Sequence, residues 1–287
     1  MSDRPGKAPQ AGVASVAGAS ASTARHGRVA AWLRGVLGHP MARGIDLDSA
    51  EATAVHARII REKSFLRRVY LHYYEQYERA IGRAAPGGLV IEVGSGAGFY
   101  HEVRPSVVSV DLRAGAYVDV LGSALALPFR AGSASAILLL NVLHHLPDPA
   151  AFFRECERVL KPGGRVCLVE PYVGPLSRRL ILPFHHEPWD EAAGWTLPAA
   201  GPLTGANMAL PWIVFCRDRA RYDADFPNLP VDSIRLHTIV LYLVSGGVSM
   251  RALLPASLFR LVVWLERLAA PAGPLLASMM TIELVRR

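Results

Sequence analysis

The sequence lacks any uninterrupted apolar run long enough to cross a membrane. Of its 287 residues, 51% are hydrophobic, but a spanning helix needs about 20 consecutive, mainly apolar residues. The most apolar stretch, 253–285, is interrupted by charges and prolines such as Arg260 and Pro271. We therefore predict no transmembrane segment and expect core helix and strand there. Peripheral contact with a membrane surface, or with an apolar substrate, is compatible with this composition.

Cysteine is scarce. Cys156, Cys167 and Cys216 lie far apart, without the paired spacing of a disulfide framework or a thiolate zinc site. This usage is typical of a reducing compartment, so we expect a cytoplasmic protein.

Acidic residues are nearly absent from the first 43 positions. That segment has six Lys and Arg residues against Asp3, which gives 6 − 1 = +5 of the total charge of +7. It is rich in Ala, Ser and Gly and poor in large apolar residues, so burial cannot offset the entropy cost of ordering it. We predict a disordered basic tail over 1–43. An organellar transit peptide has a similar composition.

The remaining residues, 44–287, alternate helix-like and strand-like segments. Apolar positions recur at helical spacing over 46–83, which predicts an N-terminal helix. A later helix is expected to begin at Asp148-Pro149 and to end at Lys161-Pro162. Short apolar runs, each followed by polar or glycine-rich sequence, predict parallel strands at 89–93, 107–111, 136–141 and 165–169.

This alternation predicts an α/β fold with a doubly wound parallel sheet, whose core covers 88–172. After Pro171 the pattern loosens and becomes dense in Pro, His and Trp. We interpret 172–232 as a lid insertion over the active face. Residues 233–287 return to apolar segments and are expected to form C-terminal strands and a helix.

A glycine-rich loop follows the first strand, with the sequence Glu92-Val93-Gly94-Ser95-Gly96-Ala97-Gly98. Glycines at such a turn let the backbone approach a ligand without a β-carbon in the way. The dinucleotide fingerprint requires its third glycine five positions after the first, where this chain has Phe99. The spacing ending at Gly98 favours S-adenosylmethionine (SAM) over a dinucleotide. Asp111 ends the next strand, where a carboxylate binds ribose hydroxyls in both cofactor classes.

Three further motifs carry a family resemblance. They are Leu127-Pro128-Phe129, Asn141-Val142-Leu143-His144-His145-Leu146 and Arg158-Val159-Leu160-Lys161-Pro162-Gly163-Gly164. With the glycine loop, they resemble the class I SAM-dependent methyltransferases of type 11, which are related to ubiquinone and menaquinone C-methyltransferases. The flanks resemble a bacterial subgroup of these enzymes with unknown substrate. The flanking motifs lie at 61–66, 185–190, 205–212 and 243–247.

The resemblance implies a seven-stranded Rossmann-like methyltransferase sheet and SAM as the cofactor. The implied cofactor-binding residues are Glu92, Gly94, Ser95, Gly96, Gly98, Asp111, Leu112, Ser123, Ala124, Leu125 and Asn141. Two positions depart from the family pattern. Ser123 stands where an acid commonly bonds the adenine amino group, and Ser135 stands where the fourth strand often has Asp. An uncharged hydrogen bond is weaker than a charge-assisted one.

Histidines are the candidate catalytic residues, because imidazole titrates near neutral pH and suits proton transfer. His144 and His145 follow the fourth strand, at the rim where ligands bind in such sheets. His186 belongs to the lid run His185-His186-Glu187-Pro188-Trp189-Asp190. That run mixes a base, acids and potential metal ligands, but it shows only proximity in sequence. We therefore predict no metal site.

The leading functional hypothesis is an enzyme that methylates a small, apolar or aromatic metabolite, with O-methylation slightly favoured over C- or N-methylation. Secondary-metabolite, quinone and glycan biosynthesis are all compatible. The basic tail suggests an alternative, an RNA or other nucleic-acid methyltransferase, although the fourth strand lacks the Asp/Asn-Pro-Pro-aromatic run of base-amine methylation. Ser123 and Ser135 suggest a third possibility, a catalytically silent SAM-fold binding protein. The oligomeric state is not indicated.

Overall fold

The computed structural model describes residues 37–46, 49–182, 187–197 and 205–287. Its centre is a seven-stranded sheet of order β3-β2-β1-β4-β5-β7-β6. Strands β1 to β5 are parallel, and β7 runs antiparallel to both of its neighbours. The strands are β1 Leu89–Val93, β2 Val108–Asp111, β3 Val120–Leu121, β4 Ala134–Leu140, β5 Leu160–Pro171, β6 Val231–His237 and β7 Met279–Val285. The predicted Rossmann-like methyltransferase sheet is confirmed.

Helices cover both faces of the sheet. The longer ones are α1 Ala50–Glu62, α2 Ser64–Arg83, α4 Pro149–Val159 and α9 Phe259–Ala269, and the shorter ones are α3 Tyr100–Val103, α5 Pro175–Ile181, α6 Leu210–Trp212, α7 Arg219–Asp225, α8 Leu241–Ser245 and α10 Gly273–Leu276. Helix α6 continues as a π-helical turn, Ile213–Arg217. The predicted start of α4 is confirmed, since the Asp148 carboxylate accepts a hydrogen bond from the amide of Ala151 at 3.0 Å. Within the described ranges, no helix combines the length and apolarity needed to cross a membrane.

The prediction of one helix over 46–83 was wrong. The chain forms α1 and α2, separated at Lys63, whose backbone is extended (φ −82°, ψ 92°). Helix α1 begins at Ala50, because the Ser49 hydroxyl caps it by accepting the amide of Ala52 at 3.1 Å. The break directs the Lys63 side chain to two carbonyls of a distant loop, those of Gly247 and Met250, at 2.5 and 2.6 Å.

The last residues of the predicted tail have defined contacts, so a tail boundary at 43 is too late. The amide of His39 donates to the carbonyl of Ser249 at 2.9 Å, and the carbonyl of Leu37 accepts from the amide of Arg251 at 2.7 Å. A 3-10 turn follows at Pro40–Ala42. Positions 1–36 lie outside the described residues.

The segment predicted as a lid contributes to the hydrophobic core. Phe153 of α4 packs against Phe215, Tyr222 and Phe226, with ring centroids 5.2 to 5.7 Å apart. All four rings are buried, so the later half of 172–232 closes one face of the sheet. Helix α2 buries three tyrosines against the other face, Tyr73, Tyr74 and Tyr77.

Candidate active site

A cavity of about 290 Å³ opens where the parallel strands β1, β4 and β5 end. Its walls come from the glycine loop after β1, residues 140–145 after β4, helices α1 and α2, the lid, and the 242–250 segment. Ligands in open α/β sheets bind at the carboxyl ends of the strands. The cavity therefore occupies the expected position for a cofactor and its substrate.

The shape of the glycine loop explains its glycines. Gly94 has a left-handed φ of 69°, and a β-carbon there would lie 2.5 Å from a methyl group of Val142. At Gly98, a β-carbon would lie 2.8 Å from the carbonyl oxygen of Ser95, which accepts the Gly98 amide at 2.8 Å. The spacing recognised in the sequence is thus the spacing that this turn requires.

Glu92 lies at the cavity wall and is 4% exposed. Burial disfavours its charged form, and the nearby Asp111 carboxylate adds repulsion. Together they raise the pKa of Glu92 to about 8, although the nearby Ser109 acts in the opposite direction. A cationic ligand group in this cavity would relieve both effects.

The side chain of Asp111 stabilises the glycine loop through hydrogen bonds. Its carboxylate accepts the amide of Gly96 at 2.9 Å and that of Arg113 at 3.0 Å. Asp111 is absent from the cavity lining, as are the predicted adenine-end residues, Leu112, Ser123, Ala124 and Leu125. The Ser123 hydroxyl accepts its own loop's amide, that of Leu125, at 3.1 Å.

The structure brings the other predicted residues together at the cavity. The wall includes Glu92, Gly94, Ser95, Gly96, Gly98, Asn141, His144 and His145. Asn141 has a φ of 55°, which is uncommon for a non-glycine residue. Within the described residues, its buried Oδ1 and the hydroxyl of Ser95 have no hydrogen-bond partner. Buried polar atoms without partners are costly, so these two atoms indicate where a polar ligand binds.

His144 is held by a buried acid that the sequence reasoning missed. Its Nδ1 lies 2.7 Å from Oε2 of Glu170, whose other oxygen accepts the amides of Val142 and Leu143 at 2.9 and 2.8 Å. Burial opposes the charged imidazole, but hydrogen bonds and charge from Glu170 and Glu187 outweigh it and raise the pKa of His144 to about 10. Glu170 ends β5 beside β4, so strand adjacency could have indicated it.

The lid supplies Glu187 to the same cluster. Its carboxylate oxygens lie 3.4 Å from Nε2 of His144 and 3.5 Å from Nε2 of His145. The predicted catalytic residue His186 lies outside the described residues, as does His185.

The flanking motifs meet around the cavity. Lys63, from the motif at 61–66, bonds the carbonyl of Gly247, which ends the motif at 243–247, and that of Met250. The side chain of Asn207 hydrogen-bonds both the amide and the carbonyl of Asp190 at 3.0 and 2.8 Å. The amide of Asn207 also donates to the carbonyl of His144 at 2.9 Å. Distant sequence motifs therefore form one wall of the site.

Comparison with known proteins agrees with the fold and the loop. Residues 91–168 match the family model described as a methyltransferase domain. The fold and this match define a class I SAM-dependent methyltransferase domain. Residues 91–168 therefore form a methyltransferase domain of the SAM-dependent class, with S-adenosylmethionine as its cofactor. The family match covers less than half of the chain, and no curated protein sequence matches it.

Similar solved structures are distant in sequence. Geranyl diphosphate C-methyltransferase from Streptomyces coelicolor A3(2) is 18% identical over 77% of this chain and 78% of its own, with a TM-score of 0.49. A SAM-dependent methyltransferase from Thermotoga maritima is 15% identical over 82% and 99%, with a TM-score of 0.44. The YcgJ protein from Bacillus subtilis is 18% identical over 75% and 99%, with a TM-score of 0.39.

Proposed function

We propose that the protein transfers the methyl group of SAM to an oxygen atom of a small, apolar or aromatic acceptor. The proposal rests on one observation, namely that the glycine loop and His144 line the same cavity. The glycine loop and Glu92 form one part of its wall, and His144, which contacts the buried Glu170, forms another. Much of the remaining wall is apolar, with Ile60, Leu140, Ile181, Met208, Leu243 and Met279.

We assign the cofactor contacts as follows. Glu92 pairs with the SAM ammonium group, and the backbone of the glycine loop carries the methionine part. The Asp111 carboxylate, which has further lone pairs, accepts the ribose hydroxyls. Leu112, Ser123, Ala124 and Leu125 border the adenine, and Asn141 borders the transferred methyl group.

The chemistry makes few demands on the protein. The sulfonium of SAM is an activated electrophile, so the site mainly aligns the acceptor with the methyl carbon and excludes water. An O–C bond forms as the C–S bond breaks. An acceptor hydroxyl must lose its proton, and we assign its activation to the polar cluster of His144, His145 and Glu187. His186, the third predicted catalytic residue, remains a prediction.

The test is incubation of the full chain with SAM and a panel of phenols and hydroxylated metabolites. We expect S-adenosylhomocysteine to form together with a product heavier by one methylene unit, with the new methyl group on oxygen by NMR. A product methylated on carbon or nitrogen would contradict the proposed atom. SAM binding without any methylated product would support the silent binding protein instead.

Helix α9 carries an exposed apolar stripe that suits an apolar acceptor. Leu261, Trp264, Leu265 and Leu268 recur at helical spacing and are 49 to 61% exposed. Arg260 and Arg267 of the same helix are also exposed, whereas the carboxylate of Glu266 is turned inward and accepts the amides of residues 239–241. We propose that this face touches an anionic lipid bilayer.

Vesicle sedimentation tests the membrane contact. We expect binding to vesicles that contain phosphatidylglycerol, weaker binding with phosphatidylcholine alone, and loss of binding in the Trp264→Ser/Leu268→Ser variant. Leu121→Ser, an exposed position on β3, is the matched control. Equal binding by the parent and the double variant would rule out this face.

The three free cysteines support the cytoplasm as the proposed compartment.

A further inference from the structure

Three potential metal ligands converge on one point of the cavity wall. One ligand atom each from His144, His145 and Glu187 lies within 4.8 Å of the others. The two histidines follow β4, whereas Glu187 belongs to the lid, so the cluster joins the lid to the sheet. All three residues also line the cavity.

The spacing within the cluster fits a shared cation. The Nε2 to carboxylate distances are 3.4 and 3.5 Å, which exceeds the usual N–H···O range of about 2.7–3.2 Å. Two ligands at about 2.1 Å from a tetrahedral zinc ion lie about 3.4 Å apart. The two histidine–carboxylate distances therefore match the separation that a zinc ion imposes, and all three ligand atoms lie within 4.8 Å of one another.

The surroundings orient His144 for this role. Its Nδ1 bonds Glu170 at 2.7 Å, which leaves Nε2 directed at Glu187. Glu170 is itself fixed by two backbone amides. A histidine held by a carboxylate through one nitrogen, with the other nitrogen directed at the ion, is the usual arrangement at protein zinc sites.

We propose that His144, His145 and Glu187 bind one Zn²⁺ ion whose fourth position faces the cavity. Two histidines and one glutamate are a known ligand set for zinc sites that keep a position open. This inference revises the sequence-based expectation of no metal. The alternative occupant of the cluster is a proton shared between histidine and carboxylate, and the experiment below separates the two.

The open coordination position of the zinc ion indicates which class of acceptor binds, an inference that rests on the proposed function. An oxygen bound to Zn²⁺ loses its proton more easily than the free hydroxyl. The acceptor is then a hydroxyl or phenol that coordinates through oxygen and releases its proton to solvent water. Its O–C bond forms as the C–S bond of SAM breaks, and the products are a methyl ether and S-adenosylhomocysteine.

The test is titration of the metal-free full chain with Zn²⁺ alone, by calorimetry, followed by Co²⁺ absorption spectra. We expect one ion per chain and the visible bands of tetrahedral cobalt. Glu187→Gln and His145→Ala should weaken binding beyond about 100-fold, whereas Glu170→Gln, which alters only the outer partner, should weaken it about 10–100-fold. His101→Ala and Cys216→Ser, which remove ligand types elsewhere, should bind like the parent.

Circular dichroism and SAM affinity of each variant show whether it is folded. Zinc binding that is absent from the folded parent, or equal in the parent and Glu187→Gln, overturns the proposal in favour of the shared proton. This titration contains neither SAM nor acceptor, so its failure leaves the proposed methyl transfer intact. Conversely, zinc binding by a chain that transfers no methyl group would overturn the proposed function and keep the metal site.

Discussion

The two parts of the cavity are built in different ways. The cofactor part is mostly one short stretch, from Glu92 to Gly98, whose backbone shape is fixed by local turns and by contact with Val142. The part that we assign to the acceptor gathers remote segments, because His144 and Glu187 line it and Lys63 holds its 247–250 loop. The cofactor part thus depends on the backbone of one loop, whereas the acceptor part depends on side chains that meet only in the folded chain. We therefore expect substitutions in the two parts to have different effects on the protein.

Gly94→Ala should have the largest effect. The added β-carbon would overlap Val142 at 2.5 Å, and the left-handed backbone adds strain, for a total of about 2–5 kcal/mol. We expect calorimetry to find SAM binding at least about tenfold weaker, with a lower melting temperature. Gly82→Ala is the control, because nothing lies within 4 Å of its added β-carbon and alanine favours the helix. Undiminished SAM affinity in Gly94→Ala would contradict the assigned loop.

Glu92→Gln should weaken SAM binding by about 1.5–3 kcal/mol, the contribution of a hydrogen bond to a charged group. The substitution should also change how the unfolding free energy depends on pH in the absence of SAM. The folded pKa of about 8 lies above the usual 4.5, so the folded state binds more protons between these values. The unfolding free energy of the parent should therefore fall as pH rises through this window. Denaturant titrations at pH 5 and pH 8 should show a smaller decline for Glu92→Gln.

Lys63→Met tests the acceptor part. It removes the ammonium that holds the carbonyls of Gly247 and Met250, so that the 246–250 wall loosens by about 1–3 kcal/mol. We expect KM for the acceptor to rise while SAM affinity changes little. Lys161→Met removes a similar contact to the carbonyl of Pro86 at the opposite end of the sheet. An equal rise in both variants would show a general loss of stability rather than a local one.

Ser123→Asp should have the smallest effect. The hydroxyl of Ser123, the residue that we assign to the adenine end, already accepts the amide of Leu125. An acid should improve SAM affinity by about tenfold or less, since the gain is the difference between a hydrogen bond to a charged group, about 1.5–3 kcal/mol, and a neutral one, about 0.5–1.5 kcal/mol. Fluorescence or calorimetric titration of both proteins measures the difference. Weaker binding in the variant would show that residue 123 does not face the adenine.

The features that could be predicted from the sequence are those that depend on residues close together along the chain. Strand β1 has the predicted bounds 89–93, and Asp148 caps α4 as expected. The sequence did not predict the break at Lys63, because the partners of that side chain lie about 180 residues further along the chain. Glu170 was missed for the same reason, and Glu187 was noted in the lid run but not predicted as a site residue. Their roles arise from the side-by-side packing of β4 and β5 and from the position of the lid.

The most direct test of the central claim follows a labelled methyl group. Full-length protein is incubated with SAM carrying an isotopically labelled methyl group and an extract of cells that lack this protein, with Gly94→Ala in parallel. We expect label to enter an extractable, apolar small molecule with the parent and to be strongly reduced with the variant. Label found only in RNA or protein, or in no acceptor despite SAM binding, would contradict it.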